Sequence, residues 1–276
     1  IGESTCLIAA RKLAQNLMSI SSPELDNWSW TQDVPLSILE QARQRFLSGI
    51  HLPPGAKPKL VIDKMPGNRF ELGFARMMLP NARSIYMLRH PLDVGLSLFT
   101  TNLKDGYEYS RRLEWIAHMI RATYDSLDDF RGKLGSRLRL QSYRALVSDT
   151  EAQMQAILDH LQVPWHDGCL SPEKSKQALV TAYSGKVRSG INTSGLEKWR
   201  KFEDQLAPLI EALGGWDWIH QWEELDAEVG REGVPAPSSA STAGKCENNE
   251  EPIHHALVSD FKSTGQKAGP DLHRPG

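Results

Sequence analysis

The sequence has few cysteines and no long apolar run, and each of these shortages argues against a class of protein. Its three cysteines lie far apart, show no metal-ligand spacing and cannot all pair with one another, which favours reduced thiols and a cytoplasmic protein. No apolar run approaches the roughly 20 residues that a membrane helix needs. The first residues also lack the charged and apolar regions of a signal peptide. We therefore expect no membrane segment in this chain.

Net charge is also nearly absent. A formal charge of −2 gives no general case for binding nucleic acid or a membrane surface, so any basic site must be local. With 276 residues, the chain can bury a core and form one domain with appendages. Because it begins at Ile1 rather than methionine, we expect it to be a fragment or a processed product.

Hydrophobic periodicity predicts helices that alternate with short apolar strands. The predicted helices span 4–19, 35–48, 70–78, 109–130 and 149–161, and the predicted strands span 59–63, 84–88 and 137–142. This alternation indicates an α/β fold, with a parallel sheet covered by helices on both faces. From Gly230 the chain is rich in Pro, Ser, Gly, Glu and Lys, which predicts a disordered tail over 230–276.

The segment 84–97 is the most informative part of the chain. It reads as a strand that ends on Arg89 and turns through Pro91 into a helix, and open α/β sheets bind ligands at this edge. The arginine, the helix start and Ser97 would together suit an anion. Pairing of Arg89 with Asp93, with the serine bonded within its own helix, would explain the same residues. The segment alone leaves both interpretations open.

Three other elements could join Arg89 at that edge. Lys64 follows the predicted strand 59–63, and two converging cations would suit a polyanion. Tyr143 ends the third predicted strand and could bond a phosphate or stack on a base. The last element is a basic loop over 181–200, which could close over an anion. For each of them the ordinary alternative is a packed or solvated side chain.

Several short motifs follow one another in order along the chain. They are Asp63-Lys-Met-Pro-x-Asn68, Leu72-Gly73, Leu79-Pro-Asn-Ala82, Arg89-His-Pro-Leu-Asp-Val-x-x-Ser97, Ser142-Tyr-x-x-Leu-Val147, Ile157-Leu-x-x-Leu-x-Val-Pro-Trp165 and Ser194-x-x-x-Lys-Trp-Arg200. Together they resemble the sulfotransferase family, in the branch that contains tetratricopeptide-linked and tyrosylprotein sulfotransferases. The resemblance covers about 2–213, and the ordered pattern is far more specific than any single motif.

This resemblance implies a P-loop-type parallel sheet and transfer of a sulfuryl group from 3′-phosphoadenosine 5′-phosphosulfate (PAPS) to a hydroxylated acceptor. The acceptor would be protein tyrosine, a glycan or a small molecule, and no metal is implied. By similarity, Arg89 and Ser97 would hold the 3′-phosphate and Tyr143 would line the nucleotide site. Arg188 and Lys198 would contact the co-substrate from the basic loop.

The resemblance also implies catalytic roles for two residues. Lys64 matches the lysine that contacts the transferring sulfuryl group and the leaving phosphate. Glu3 falls in the Gly-Glu pattern where the tyrosylprotein branch places acidic residues, including its proposed base. Transfer at sulfur spreads negative charge over oxygens, so fixed cations and a proton-accepting carboxylate suit it.

The chain departs from the family pattern in several places. The phosphosulfate-binding loop, a Pro-Arg-Ser-Gly-Thr-Thr-like turn, should precede Gly2 and is absent together with the first strand of the sheet. We therefore expect an N-terminally incomplete sulfotransferase-like domain over 1–229, which could be inactive by itself. Arg144 stands where a glutamate usually follows the tyrosine, and Ile62 stands where secreted members place a disulfide cysteine.

Three functions follow from these patterns. The first is a PAPS-dependent sulfotransferase. The second is a non-catalytic module with the same fold, which binds nucleotide or a partner. The third is an unrelated P-loop phosphotransferase, which would need a Gly-x-x-x-x-Gly-Lys-Ser/Thr motif that the sequence does not contain.

Overall fold

The computed structural model describes residues 4–20, 28–51, 58, 60–103, 106–174 and 190–232. The helices are α1 (Cys6–Leu17), α2 (Leu36–Ser48), α3 (Leu72–Met78), α4 (Pro91–Thr100), α5 (Leu113–Leu134), α6 (Tyr143–Ser148), α7 (Thr150–Leu161), α8 (Ala207–Leu213) and α9 (Gly215–Arg231). The strands are β1 (Ser84–Leu88) and β2 (Leu138–Ser142). Short 3₁₀ helices connect several of these elements, including Pro66–Phe70 and Lys198–Phe202.

β1 and β2 lie side by side and run parallel, so their carboxyl ends meet at one edge. On one face of this pair, Leu88 and Leu140 of the two strands pack against buried side chains of α5 and α9, which are Leu127, Trp222 and Val229. On the other face, the buried Gln141 amide donates to Gln153 Oε1 of α7 at 2.8 Å. Helices therefore contact both faces of β2, while Ile85 and Met87 leave the outer face of β1 exposed.

Two further cores hold the helices. The first packs α4 against α5 and α8 and includes Leu92, Ile116 and Leu209. The approach is close, because a side chain at Gly95 would collide with Leu209. The second core joins α1, α2 and α3. α4 is thus fixed on its buried side, which orients its first turn toward the carboxyl edge of the sheet.

Local signals account for the ends of several elements. At the carboxyl edge, α4 begins at Pro91, whose fixed φ suits the first helical position and whose missing N–H leaves no helical bond unmade. Before the start of β2, α5 ends at Leu134 and is followed by Gly135, whose φ of 49° lies in the left-handed region that favours glycine. Ser142 ends β2 and caps α6, because its hydroxyl accepts from the Ala145 N–H at 3.1 Å. Tyr143 is therefore the first residue beyond the strand.

The structure confirms the α/β class, the parallel pairing and most predicted elements, and it corrects others. The strand predicted over 59–63 was wrong, because the described residues of that segment form only an isolated bridge at Asp63. The helix predicted over 109–130 begins and ends about one turn later, because Glu108–Arg111 is a 3₁₀ helix. α9 extends through Gly230, and 233–276 lies outside the described residues. Among the helices described, none is both long and apolar enough to cross a membrane.

Candidate functional site

Arg89 lies at the carboxyl end of β1, where the sequence predicts an anion site. Its guanidinium carbon lies 5.3 Å from the ring centroid of Tyr143, which begins α6 directly after β2. Its Nη2 donates to the carbonyl oxygen of Gly195 at 3.1 Å. Its Nε is buried and has no hydrogen-bond partner in the described part of the chain. The two strand ends and a distant turn therefore meet at an arginine with one donor still unsatisfied.

The turn that contacts Arg89 is fixed to α4 by Asp93. This carboxylate accepts from the Glu197 N–H at 2.8 Å through Oδ2 and from the Trp199 N–H at 3.1 Å through Oδ1. No ion pair or hydrogen bond joins Asp93 to Arg89 in the described part of the chain, so the alternative in which these two residues pair is wrong. Sequence reasoning missed this role, since the partners of Asp93 lie 104 and 106 residues away.

Charged side chains close the outer side of the same turn. Arg144 Nη2 lies 3.0 Å from Glu197 Oε1, and Arg200 Nε lies 3.3 Å from Glu197 Oε2. The hydrogen bond from Arg144, followed by that from Arg200, lowers the pKa of the exposed Glu197 carboxyl. Arg144, which departs from the family pattern, thus pairs with a glutamate of the turn instead.

A buried histidine lies under the turn. The His90 ring stacks on Trp199 with 5.1 Å between centroids and meets the edge of Trp222 at 5.3 Å. Its Nδ1 accepts from the Leu92 N–H at 3.2 Å, so we assign the proton to Nε2, which faces Glu223 Oε1 at 3.2 Å. Burial lowers the pKa of His90, although Glu223 opposes this. A neutral imidazole therefore packs between the turn and α9.

The surroundings of Lys64 differ from those of Arg89. Lys64 is exposed and lies on an extended segment just before the 3₁₀ helix Pro66–Phe70. Nearby buried atoms lack hydrogen-bond partners within the described ranges; they are both carboxylate oxygens of Asp63, Oδ1 of Asn68 and Nε of Arg69. Burial raises the pKa of the Asp63 carboxyl, against a smaller lowering by the neighbouring Asn68 side chain.

The predicted site residues thus fall into three groups. The structure brings Arg89 and Tyr143 together at the carboxyl edge. Ser97 lies on α4 one turn beyond Asp93, and Lys198 is exposed within the anchored turn. The roles of these two residues and of Lys64 stay predictions. The other predicted site residues, Glu3 and Arg188, lie outside the described residues.

Fold and site together define an α/β protein with an arginine over an aromatic ring at the carboxyl edge of a parallel sheet. Residues 11–167 match the family model described as the sulfotransferase family. The chain belongs to that family, which confirms the resemblance at the level of the family, while the tyrosylprotein branch stays a prediction. The matched region contains both Arg89 and Tyr143, whereas the turn that holds Lys198 lies beyond it.

The chain is also similar to a bacterial protein. It is 31% identical over 179 residues to an uncharacterized protein of Aquifex aeolicus (strain VF5). That alignment covers 64% of this chain and 23% of the relative. The chain thus spans less than a quarter of the length of the relative that it matches.

Proposed function

We propose that this protein transfers a sulfuryl group from PAPS to a hydroxylated acceptor, and that the acceptor is a protein tyrosine. One observation carries the proposal: Nε of Arg89, buried and without a hydrogen-bond partner among the residues that the structure describes, lies at the carboxyl edge of the sheet, with the Tyr143 ring beside the same guanidinium. The tyrosine acceptor rests on the motif resemblance to the tyrosylprotein branch.

Binding of the nucleotide would use the part of the site around Arg89, which comprises Arg89, Ser97, Tyr143 and the turn of residues 194–199 and is called the Arg89 half below. A guanidinium carries a permanent charge and a planar fork of donors, which matches the oxygens of a phosphate. Arg89 donates one N–H to Gly195, and its Nε, which has no partner in the described part of the chain, favours a further acceptor. Ser97 and Tyr143 add hydroxyl groups that suit the 3′-phosphate and the nucleotide site in the resembling family.

Transfer of the sulfuryl group would use the part of the site formed by residues 63–69, which is called the Lys64 half below. The acceptor oxygen forms a new bond to sulfur, the bond from sulfur to the bridging phosphate oxygen breaks, and adenosine 3′,5′-bisphosphate leaves. A lysine ammonium beside the sulfuryl and bridging oxygens would stabilise the charge that they gain, as cations do in phosphoryl transfer. The acceptor hydroxyl must lose its proton, and Glu3 is the proposed base.

Thermal unfolding of the full-length protein with adenosine 3′,5′-bisphosphate tests the binding half. The nucleotide should raise the melting temperature by mass action. Arg89→Ala should largely abolish this shift and weaken binding by about 100-fold, because a partly buried phosphate loses its charged partner. Arg131→Ala, which removes an exposed arginine of α5, is the matched control and should leave the shift intact. An unchanged shift in Arg89→Ala would refute this placement of the phosphate.

A transfer assay with labelled PAPS tests the reaction itself. We expect label on tyrosine peptides and none without the acceptor. Nucleotide binding without transfer to tyrosine, glycan or phenol acceptors would favour the non-catalytic module instead. Absence of both binding and transfer in the full-length protein would refute the proposed function.

A further inference from the structure

We infer that Asp93 is a positioning residue for nucleotide binding, which acts through the turn of residues 194–199 and does not touch the nucleotide. The inference rests on the function proposed above, since it concerns the same edge of the sheet. Asp93 is 3% exposed, and its carboxylate accepts one N–H from Glu197 and one from Trp199.

The turn needs such an anchor because its backbone is strained. Glu197 has φ 54° and ψ 24°, a left-handed conformation that costs free energy in any residue with a side chain. It immediately precedes the 3₁₀ helix Lys198–Phe202, and the first amides of such a helix have no partner within it. Charge-assisted bonds from a buried carboxylate are stronger than neutral ones. Asp93 therefore satisfies one of these helix amides, that of Trp199, and through the Glu197 N–H it holds Glu197 in its unusual conformation.

The hydrogen bonds to Asp93 also fix the positions of the Gly195 carbonyl and of Lys198 relative to Arg89. The Gly195 carbonyl, two residues before the first anchored amide, accepts from Arg89 at 3.1 Å and so orients the guanidinium. Lys198 lies between the two anchored amides, so its main chain cannot move without breaking one of these bonds. Displacements of about 1 Å in a positioning group can cost orders of magnitude in function. Loss of the Asp93 bonds should therefore weaken nucleotide binding without removing any residue that contacts the nucleotide.

Hydrogen exchange of the full-length protein without nucleotide tests the anchoring. In the wild type, the amides of Glu197 and Trp199 should exchange about tenfold or more slowly than that of Lys198, whose N–H is not bonded to Asp93. This comparison needs no variant, so it holds even if substitutions at Asp93 prevent folding. In Asp93→Asn, which keeps the shape but offers only one acceptor oxygen, at least one of the two amides should lose this protection.

Binding of adenosine 3′,5′-bisphosphate tests the positioning. Asp93→Asn should raise the dissociation constant about tenfold, whereas Asp129→Asn, at an exposed carboxylate of α5 paired with Lys133, should leave it unchanged. If Asp93 acts through the turn, Asp93→Asn and Lys198→Ala should be less than additive in the double variant. A role in folding alone would lower the melting temperature without changing the affinity.

The outcomes separate the inference from the proposed function. Equal exchange of the three amides in the wild type would overturn the anchoring. Faster exchange in Asp93→Asn with unchanged affinity, or strictly additive effects with Lys198→Ala, would overturn the positioning. A wild-type protein that binds no nucleotide would refute the proposed function and the nucleotide part of the inference, while exchange would still decide whether Asp93 anchors the turn.

Discussion

The two halves of the candidate site are built in opposite ways. Around Arg89, hydrogen bonds and ring contacts join parts of the chain up to 106 residues apart, and the buried Nε of Arg89 has no hydrogen-bond partner within the described ranges. Around Lys64, the neighbouring residues 63–69 leave several buried polar atoms without hydrogen-bond partners in the described part of the chain. Such atoms are costly unless something else satisfies them. The Arg89 half is thus held by long-range contacts and the Lys64 half is a local segment, so under the function proposed above we expect the two halves to contribute differently to nucleotide binding and to transfer.

The contrast predicts that binding and transfer can be separated. Lys64→Ala should lower the turnover number by about 10²–10³-fold, because it removes one charge from the developing transition state. Affinity for adenosine 3′,5′-bisphosphate should be partly kept, since Arg89 and the anchored turn remain. Steady-state kinetics with PAPS and a tyrosine peptide, together with nucleotide titration, measure the two effects.

Lys133→Ala is the control for that experiment, because it removes an exposed lysine on α5. Wild-type turnover in Lys64→Ala would remove the lysine from the mechanism. A loss of affinity as large as that caused by Arg89→Ala would show that the two halves act as a single binding surface, and the contrast between them would fail.

A substitution at Gly195, with a smaller expected effect, tests how tightly the Arg89 half is packed. A Cβ added at Gly195 would lie 2.7 Å from the hydroxyl oxygen of Tyr143, closer than carbon and oxygen can approach. Gly195→Ala should therefore displace the Tyr143 ring or the turn and weaken nucleotide binding about tenfold, as small misplacements do. Titration with adenosine 3′,5′-bisphosphate measures the loss.

Gly132→Ala provides the matched comparison, because a Cβ at that position of α5 meets no atom within 4 Å. It should leave affinity unchanged and slightly stabilise the helix, by about 1 kcal/mol or less. Equal affinities of Gly195→Ala and the wild type would show that the contact between turn and tyrosine is not part of the binding site.

Sequence patterns predicted the elements around Arg89 better than the contacts between them. The strand that ends on Arg89, the helix that begins at Pro91 and the tyrosine after β2 all follow from local periodicity and turn chemistry. The bonds from Asp93 to the distant turn could not be predicted, because no local rule pairs a helix residue with amides about a hundred positions later. For the same reason, local rules could not predict that His90 packs between Trp199 and Trp222.

The missing strand over 59–63 has a different physical cause. Its apolar run suits a strand, but a strand exists only where another strand bonds to it, and the described residues show only an isolated bridge at Asp63. Side chains there still alternate, with Ile62 and Lys64 exposed and Asp63 more buried. The apolar Ile62 is thus exposed while the charged Asp63 is more buried, so the apolar run predicted neither the hydrogen bonds nor the burial of this segment.

The smallest expected effect concerns pH, and it tests whether the Arg89 half depends on a neutral His90. Burial lowers the pKa of His90 below its ordinary value of 6.5; Glu223 and Asp93 oppose the shift, and Arg144 adds to it. As pH falls below 6.5, the unfolded chain takes up a proton at this residue before the folded chain does. Unfolding then binds protons, so the free energy of unfolding decreases toward acid pH and this contribution is fully present only above 6.5.

His90→Asn isolates that contribution, because asparagine can still accept from the Leu92 N–H but does not titrate. We expect a lower melting temperature at all pH values, from lost stacking on Trp199, and a shallower fall of melting temperature between neutral and acid pH than in the wild type. Thermal unfolding of both proteins above and below pH 6.5 measures the two slopes. Because His160, whose pKa burial also lowers, titrates in both proteins, only the difference between the slopes reports on His90. Parallel slopes would mean that the turn packs equally well on a charged imidazole. The structure of the Arg89 half would then depend on Asp93 and Arg89 alone.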